Sequence, residues 1–494
     1  LARRTTIKKT TLETIMMNLK QVPKRFKRLS WCLSLCGLSF ASQAEDLMAI
    51  YQQSLATNPE ILQAQADRDT VLARVGISLS SLLPQLSASL GYNWSQTDYE
   101  LNTVSPEANN TTGTVTLTQS IFNFSYWKNL DIASQKGSQA EVAYQSEIQQ
   151  LMLDVASKYF GVLEKQDNLN AQKANQKATG QTLRQMQQKF KVGLVAVANV
   201  HQAQAGFDGA VAATIGAENE LSQAFEELNV LTGGMHTQLD PLDVKRFSPT
   251  GVTPNSSNEW IKLAEQSSLS LSAARMGKNI AFEEVTEKQS GHFPTLSLNG
   301  DYTHTMHSDA STLGSSTGDS DRYNVGVTFR IPIFDGLKTT RSTDVQRFNY
   351  LKQTEALELA HRNMKKEVRN QFNSVKSSLS LIKARSQAVV SAQSSLRATR
   401  AGFDVGTNTI IEVLDQTKKL YDAKVDLTKA RFTYVKTLLA LKLAAGTITV
   451  EDLEMINRGL LHPTPKTAPA QPAPSAPTAG GSTTEAKPTS TPTP

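Results

Sequence analysis

The stretch that decides the fold is Phe403-Asp404-Val405-Gly406-Thr407-Asn408-Thr409-Ile410-Ile411-Glu412-Val413-Leu414-Asp415. Gly406 ends one very long helical pattern and the next one starts a few residues later, so the segment reads as the tip of a helical hairpin. Glu412 and Asp415 follow at i, i+3, which places two carboxylates on one face of the returning helix. The same shape occurs at Phe190-Lys191-Val192-Gly193-Leu194, where Gly193 precedes Gly406 by 213 positions. Two copies of one plan are therefore present, and internal duplication replaces the two or three domains that the length of 494 residues suggests.

Working back from each tip, the chain is free of proline from Phe124 to Pro241 and again from Pro332 to Pro463. In the first interval Val155, Val162, Leu169, Gln176, Leu183 and Phe190 recur every seven residues; in the second Val368, Val375, Ile382, Val389, Leu396 and Phe403 do so in the same frame. A sustained seven-residue repeat predicts packed helices with a left-handed supercoil. Such a stripe is core, so function has to lie elsewhere.

Upstream of each long helix the period changes to two. Leu86, Ala88, Leu90, Tyr92 and Trp94 alternate with polar or small residues, as do Val115, Leu117, Gln119 and Ile121, with a polar loop expected around Pro106 to Gly113. The second copy repeats this with Leu296, Leu298, Gly300 and Tyr302, a polar loop from Met306 to Asp321, then Tyr323, Val325, Val327, Phe329 and Ile331. Pro84 and Pro294 mark corresponding helix-to-strand junctions. One helix is expected from Asp46 to Leu83 with a cap and restart at Asn58-Pro59-Glu60, and another from Asn258 to Phe293.

The formal net charge is +6, which invites a nucleic-acid or anionic-surface partner. The first 44 residues, however, hold nine Lys/Arg against Glu13 alone. They run into the apolar stretch Leu29 to Phe40 and then Ala41-Ser42-Gln43-Ala44, the pattern of a Sec-type signal peptide cleaved after Ala44 and translated from Met16 or Met17. Without it, 42 basic and 44 acidic residues remain, a net charge of −2 that removes the case for nucleic acid. Both cysteines, Cys32 and Cys36, lie inside that leader, so an exported chain would lack thiols. A lipoprotein signal ending at Cys36 is the rival reading, weakened by Leu35 where a small residue is wanted.

No stretch after the leader holds 18 consecutive apolar residues, so no membrane-spanning helix is expected. The four alternating strands could instead be part of a closed barrel, apolar outward and polar inward, but a bilayer barrel starts at about eight strands. Two protomers would supply eight and three would supply twelve; periodicity does not choose. The alternation also admits a water-soluble pair of hairpins capping a rod, and hence a structural or adhesive surface protein without transport activity. No HExxH, P-loop, Gly-x-Ser-x-Gly or dinucleotide fingerprint is present, so no enzyme is expected. His304 and His307 stand at i, i+3 without a third ligand, so neither a metal site nor a cofactor is expected.

The order of these features, with Asn58-Pro59-Glu60, Leu82-Leu83-Pro84-Gln85-Leu86, Leu117-Thr118-Gln119-Ser120-Ile121-Phe122, the two Val-Gly tips and Val413-Leu414-Asp415, resembles the TolC-type outer-membrane efflux channels up to about Asn457. The resemblance implies a mixed β-barrel and α-helical barrel: a homotrimer with a 12-stranded barrel in outer-membrane lipid and a coiled-coil tunnel crossing the periplasm of a Gram-negative cell. It implies a duct of tripartite efflux or type I secretion systems, gated at the helix tips. The partners would be a periplasmic adaptor and an inner-membrane RND, ABC or MFS transporter. The division expected is signal peptide 1–44, first repeat 45–235 with strands about 84–104 and 113–124, and connection 236–257. The second repeat then covers 258–446, with strands about 295–305 and 322–333, followed by an equatorial segment 447–462 and a disordered Pro/Thr/Ala-rich tail 463–494.

By the same resemblance Glu412 and Asp415 would ring the pore constriction and favour cations. Val192, Gly193, Leu194, Val405, Gly406 and Thr407 would meet the adaptor. The family's closed-state lock uses an arginine where this chain has Asn408, an aspartate at Asn199, a threonine at Ala198 and a tyrosine at Phe403; only Gln188 keeps its counterpart. A charge-assisted lock cannot form with Asn408, so closure is expected to rest on packing and amide hydrogen bonds.

Overall fold

The computed structural model describes residues 45–96, 107–243, 247, 249–310 and 318–461; the expected signal peptide and the tail lie outside them. Two helices open the chain, α1 (Leu47–Thr57) and α2 (Pro59–Ser80). Asn58 separates them: its side chain accepts from the N–H groups of Glu60 and Ile61 at 2.8 and 3.2 Å, while Pro59 takes the first helical position, where no N–H is needed. Strands β1 (Gln85–Gln96) and β2 (Glu107–Phe122) follow, then the long α3 (Phe124–Lys191) and its return α4 (Val197–Thr232).

The second copy runs α5 (Ser257–Ser267), α6 (Leu269–Gln289), β3 (Thr295–Ala310), β4 (Ser320–Arg330), α7 (Lys338–Asp404) and α8 (Ile410–Ala444), with a short closing helix α9 (Val450–Asn457). The single helix expected from Asn258 to Phe293 is in fact broken at Ser268, 210 positions after Asn58. No proline announces this break. Ser268 adopts extended backbone and its hydroxyl accepts from the N–H of Leu271 at 3.4 Å. Gly446, at φ +69°, lies so close to the Ser267 backbone that a Cβ there would collide with it, so the end of α8 seats directly on the break.

The four strands form one antiparallel sheet in the order β1-β2-β3-β4, and the β2–β3 pairing joins the two repeats. Leu86 pairs with Leu117, Val115 with Tyr302, and Tyr302 with Tyr323, so the apolar residues of all four strands share one face. That face is exposed, and β1 and β4 leave both sheet edges open. The loops are shorter than their composition suggests. Asn109–Thr112 belong to β2, laddered to Gly91–Trp94 on one side and to Thr305–Ser308 on the other. Asn- and Thr-rich sequence read as loop, but the main chain finds partners on both sides there. The residues expected to extend β1 to 104 lie outside the described set.

Helices α3 and α7 have 68 and 67 residues, each about 100 Å at 1.5 Å per residue. Their seven-residue stripes are buried at Val155, Val162, Leu169 and Leu183 and at Val368, Val375, Ile382 and Leu396. Each such side chain, removed from water, contributes about 1.5–3 kcal/mol. The main core sits halfway along these helices, where Tyr159, Phe160 and Phe432 pack with Leu47, Ile50, Trp260 and Phe372. Tyr159 donates to the carbonyl of Asp240 at 2.8 Å, tying α3 to the inter-repeat connection. A smaller core of Leu183, Met186, Ala203, Leu396, Ile410, Val413 and Leu420 lies near the hairpin tips and joins both hairpins. No described helix is long and apolar enough to cross a membrane.

Candidate functional site at the paired helix tips

Both tips close by the same backbone device. In the first, Gly193 at φ +74° lets its N–H reach the carbonyl of Phe190 (2.9 Å) and that of Leu194 reach Lys189 (2.9 Å). In the second, Gly406 at φ +84° donates to Phe403 (3.1 Å) and Thr407 to Gly402 (2.8 Å). A left-handed residue with these two bonds satisfies the last carbonyls of a helix, and glycine meets no Cβ penalty there. A Cβ on either glycine would meet nothing within 4 Å, so only the backbone conformation demands glycine. Val192, Leu194 and Val405 stand 69, 72 and 77% exposed around these turns, apolar knobs with no cover from their own chain.

The returning helices start differently. Helix α4 begins after Ala196, which offers no side-chain cap. Helix α8 begins after Thr409, whose hydroxyl accepts from the N–H of Glu412 at 3.3 Å and donates to the Glu412 carboxylate at 3.1 Å. The Asn408 amide donates to the other carboxylate oxygen of Glu412. Those bonds, Asn408 first and Thr409 second, hold the Glu412 carboxyl below the usual glutamate range. Its place in the first turn of α8 adds the favourable helix dipole.

Asp415 lies on the same exposed face, but its carboxylate pairs with Lys419 at 2.7 Å, one turn on. Lys418 pairs with Asp422 at 2.9 Å. Glu412 has neutral partners and keeps its full charge, whereas the charge of Asp415 is met within its own helix. The two carboxylates are thus adjacent and electrostatically unequal.

Among the described residues no hydrogen bond joins Gln188, Ala198 or Asn199 to Phe403 or Asn408. Gln188 and Ala198 are exposed, and the N–H of Asn199 is bonded to Ala196 at 3.0 Å. The hairpins are tied instead by Lys189, whose ammonium lies 3.6 Å from Asp404 and 5.1 Å from the centre of the Phe403 ring. Gly206 of α4 brings the second hairpin close: a Cβ there would sit 2.9 Å from Leu414. A cleft of about 150 Å³ between the hairpins is lined by Met186, Arg400, Phe403, Asp404, Ile410 and Val413.

Sequence reading missed Lys189, Asp404, Thr409 and Lys419. The capping-box spacing Thr409-x-x-Glu412 and the i, i+4 spacing of Asp415 and Lys419 were both available as signals. The Lys189–Asp404 contact has no local signal, because it depends on how two hairpins from different repeats meet.

The sequence model of the family described as Outer membrane efflux protein matches residues 50–234 and 260–447. The outer membrane protein TolC of Vibrio cholerae serotype O1 is 39% identical over 423 residues, covering 86% of this chain and 95% of TolC. The proteases secretion protein PrtF of Dickeya chrysanthemi is 26% identical over 441 residues, covering 86% of this chain and 93% of PrtF. Among solved structures, that of CusC, described in terms of folding and transmembrane channel formation, superposes with a TM-score of 0.71 at 19% identity, over 82% of this chain and 92% of that one. With the repeated strands and hairpins in the same order, these matches make the chain a member of the outer membrane efflux protein family, a channel protein of the Gram-negative outer membrane.

Proposed function

We propose that three copies of this chain close a 12-stranded barrel and a continuous helical tunnel, and that the duct so formed carries drugs, detergents or polypeptides outward. The observation that carries the reading is the four-stranded sheet. It has an exposed apolar face, two open edges, and both long hairpins attached at one end. An open edge in lipid leaves N–H and C=O groups unsatisfied, so the sheet needs further strands, and a water-filled bore favours three copies over two.

At the tips, Glu412 would ring the narrowest part of the duct with Asp415 beside it, and the exposed Val192, Leu194 and Val405 would meet a periplasmic adaptor recruited by an inner-membrane transporter. Closure would rest on the small apolar core under the tips and on the Lys189–Asp404 tie, without a charged lock at Asn408. No catalytic role is assigned to any residue. The test is light scattering and cross-linking of detergent-extracted protein together with planar-bilayer conductance. Trimers that conduct support the reading; an elongated oligomer that never conducts overturns it.

A further inference from the structure

The strands also carry charge, and its placement follows from the register. On β4 the apolar face holds Tyr323, Val325, Val327 and Phe329, so Arg322, Asn324, Gly326, Thr328 and Arg330 stand on the opposite face. The same face of β3 carries Asp301 beside Asn324, and that of β2 carries Asn110, Thr112, Thr114, Thr116 and Thr118. An arginine on the lipid face costs about 2–4 kcal/mol at mid-bilayer, so the alternation that buries Val325 and Phe329 in lipid turns both arginines to the interior.

Arg330 lies at the helix-side end of β4, next to the chain leading to α7, and Arg322 toward the opposite, outer end. Among the described residues neither forms an ion pair. Asp301 accepts from Asn324 at 3.0 Å and is not within ion-pair distance of Arg322. Over β1, residues 110–122 of β2, residues 295–306 of β3 and β4, that interior face therefore carries two fixed cations, Arg322 and Arg330, and one anion, Asp301, per chain. The tip carries the opposite excess, in Glu412.

The geometry points to a second selectivity element in the strand-lined part of the duct: a basic collar of two rings, Arg330 at its helix-side end and Arg322 toward its outer end, that draws anionic solutes and opposes the acidic tip. This rests on the closed-barrel reading given above. Over those strand residues, three copies would place six arginines in two rings, with three aspartates beside the outer one. The tip lies a helix length of about 100 Å from the sheet. The screening length is about 8 Å at physiological salt, so the two fields act independently, in series. A solute crossing the duct would meet a cation-favouring constriction first and an anion-favouring collar last, and the wild-type preference is the resultant of the two.

The experiment is reversal potential across a salt gradient in planar bilayers, with wild-type protein, Arg322→Gln/Arg330→Gln, and Glu412→Gln. The collar predicts that removing both arginines raises the cation-to-anion permeability ratio by about sevenfold, because one kT of potential changes the local cation and anion concentrations about threefold each in opposite directions. Glu412→Gln should move it the other way. A chemical arm avoids dependence on refolding: Arg322→Cys, treated in the open pore with an anionic or a cationic thiol reagent from the outer side, should give opposite selectivity changes. The lipid-facing control Tyr323→Cys should not respond. Pores whose selectivity is unmoved by the arginine substitutions, or an Arg322→Cys pore that ignores both reagents, overturn the collar while leaving the duct intact. Wild-type protein that forms no trimer and no pore overturns the duct and the collar with it.

Discussion

The two helix tips share one backbone solution and differ in everything attached to it. Gly193 and Gly406 adopt the same left-handed turn with the same pair of bonds to preceding carbonyls. Beyond the turn, the first tip offers Ala196 with no cap and no acidic side chain near the start of α4. The second offers Asn408 and Thr409, which hold Glu412 in its ionised form. Duplication supplied the shape twice, and the charged chemistry was placed on one copy. The turn is thus a structural requirement of both hairpins, and the proposed filter is a property of α8 alone.

The largest effect that can break this comparison comes from bulk at the turns. Gly193→Trp and Gly406→Trp should each abolish adaptor capture in a pull-down while leaving the trimer assembled, since neither glycine has a neighbour within 4 Å. Capture that survives in one variant and fails in the other would show that only one tip docks.

Next come the two carboxylates. Glu412→Ala should remove most of the cation preference of the conducting pore, and Asp415→Ala less, because Lys419 already offsets Asp415 at 2.7 Å. Lys419→Ala should accordingly raise cation preference above wild type. Equal effects of the two acid substitutions would contradict the inequality drawn from their partners.

A smaller effect concerns pH. The hydrogen bonds from Asn408 and Thr409 depress the Glu412 pKa in the folded chain, so their stabilisation is fully present above the ordinary glutamate value and is lost as pH falls through the lower folded value. Cation preference should therefore persist on acidification to below the usual glutamate range. Asn408→Ala should raise the pH at which it disappears, read as a shift in the midpoint of reversal potential against pH.

The smallest effects are on the helix starts. Thr409→Ala should destabilise the first turn of α8 by about 1 kcal/mol, whereas Ala196→Asp should stabilise that of α4 by up to a similar amount. Hydrogen exchange of the first-turn amides measures both.

How far the sequence discloses this molecule depends on the range of the interaction. The stripe from Val155 to Leu183 and the alternation from Leu86 to Trp94 repeat over many residues, so each is legible from period alone. The break at Ser268 rests on a single hydroxyl and on Gly446 arriving from far along the chain, which no local pattern records. Asn109–Thr112 look like loop because their composition is polar, yet their pairing partners lie in two other strands. At the site, Glu412 and Asp415 stood out as acids. Their inequality was within reach from the spacings to Thr409 and Lys419, but the tie from Lys189 to Asp404 and Phe403 required the two hairpins to be set side by side.

The most direct test of the central claim, that Glu412 on the second tip is the charge that sets passage through a trimeric duct, is the reversal potential of purified protein in a planar bilayer under a salt gradient, wild type against Glu412→Gln. The account predicts cation-preferring pores whose preference is largely lost in the variant at unchanged trimer content; equal reversal potentials from the two proteins would contradict it.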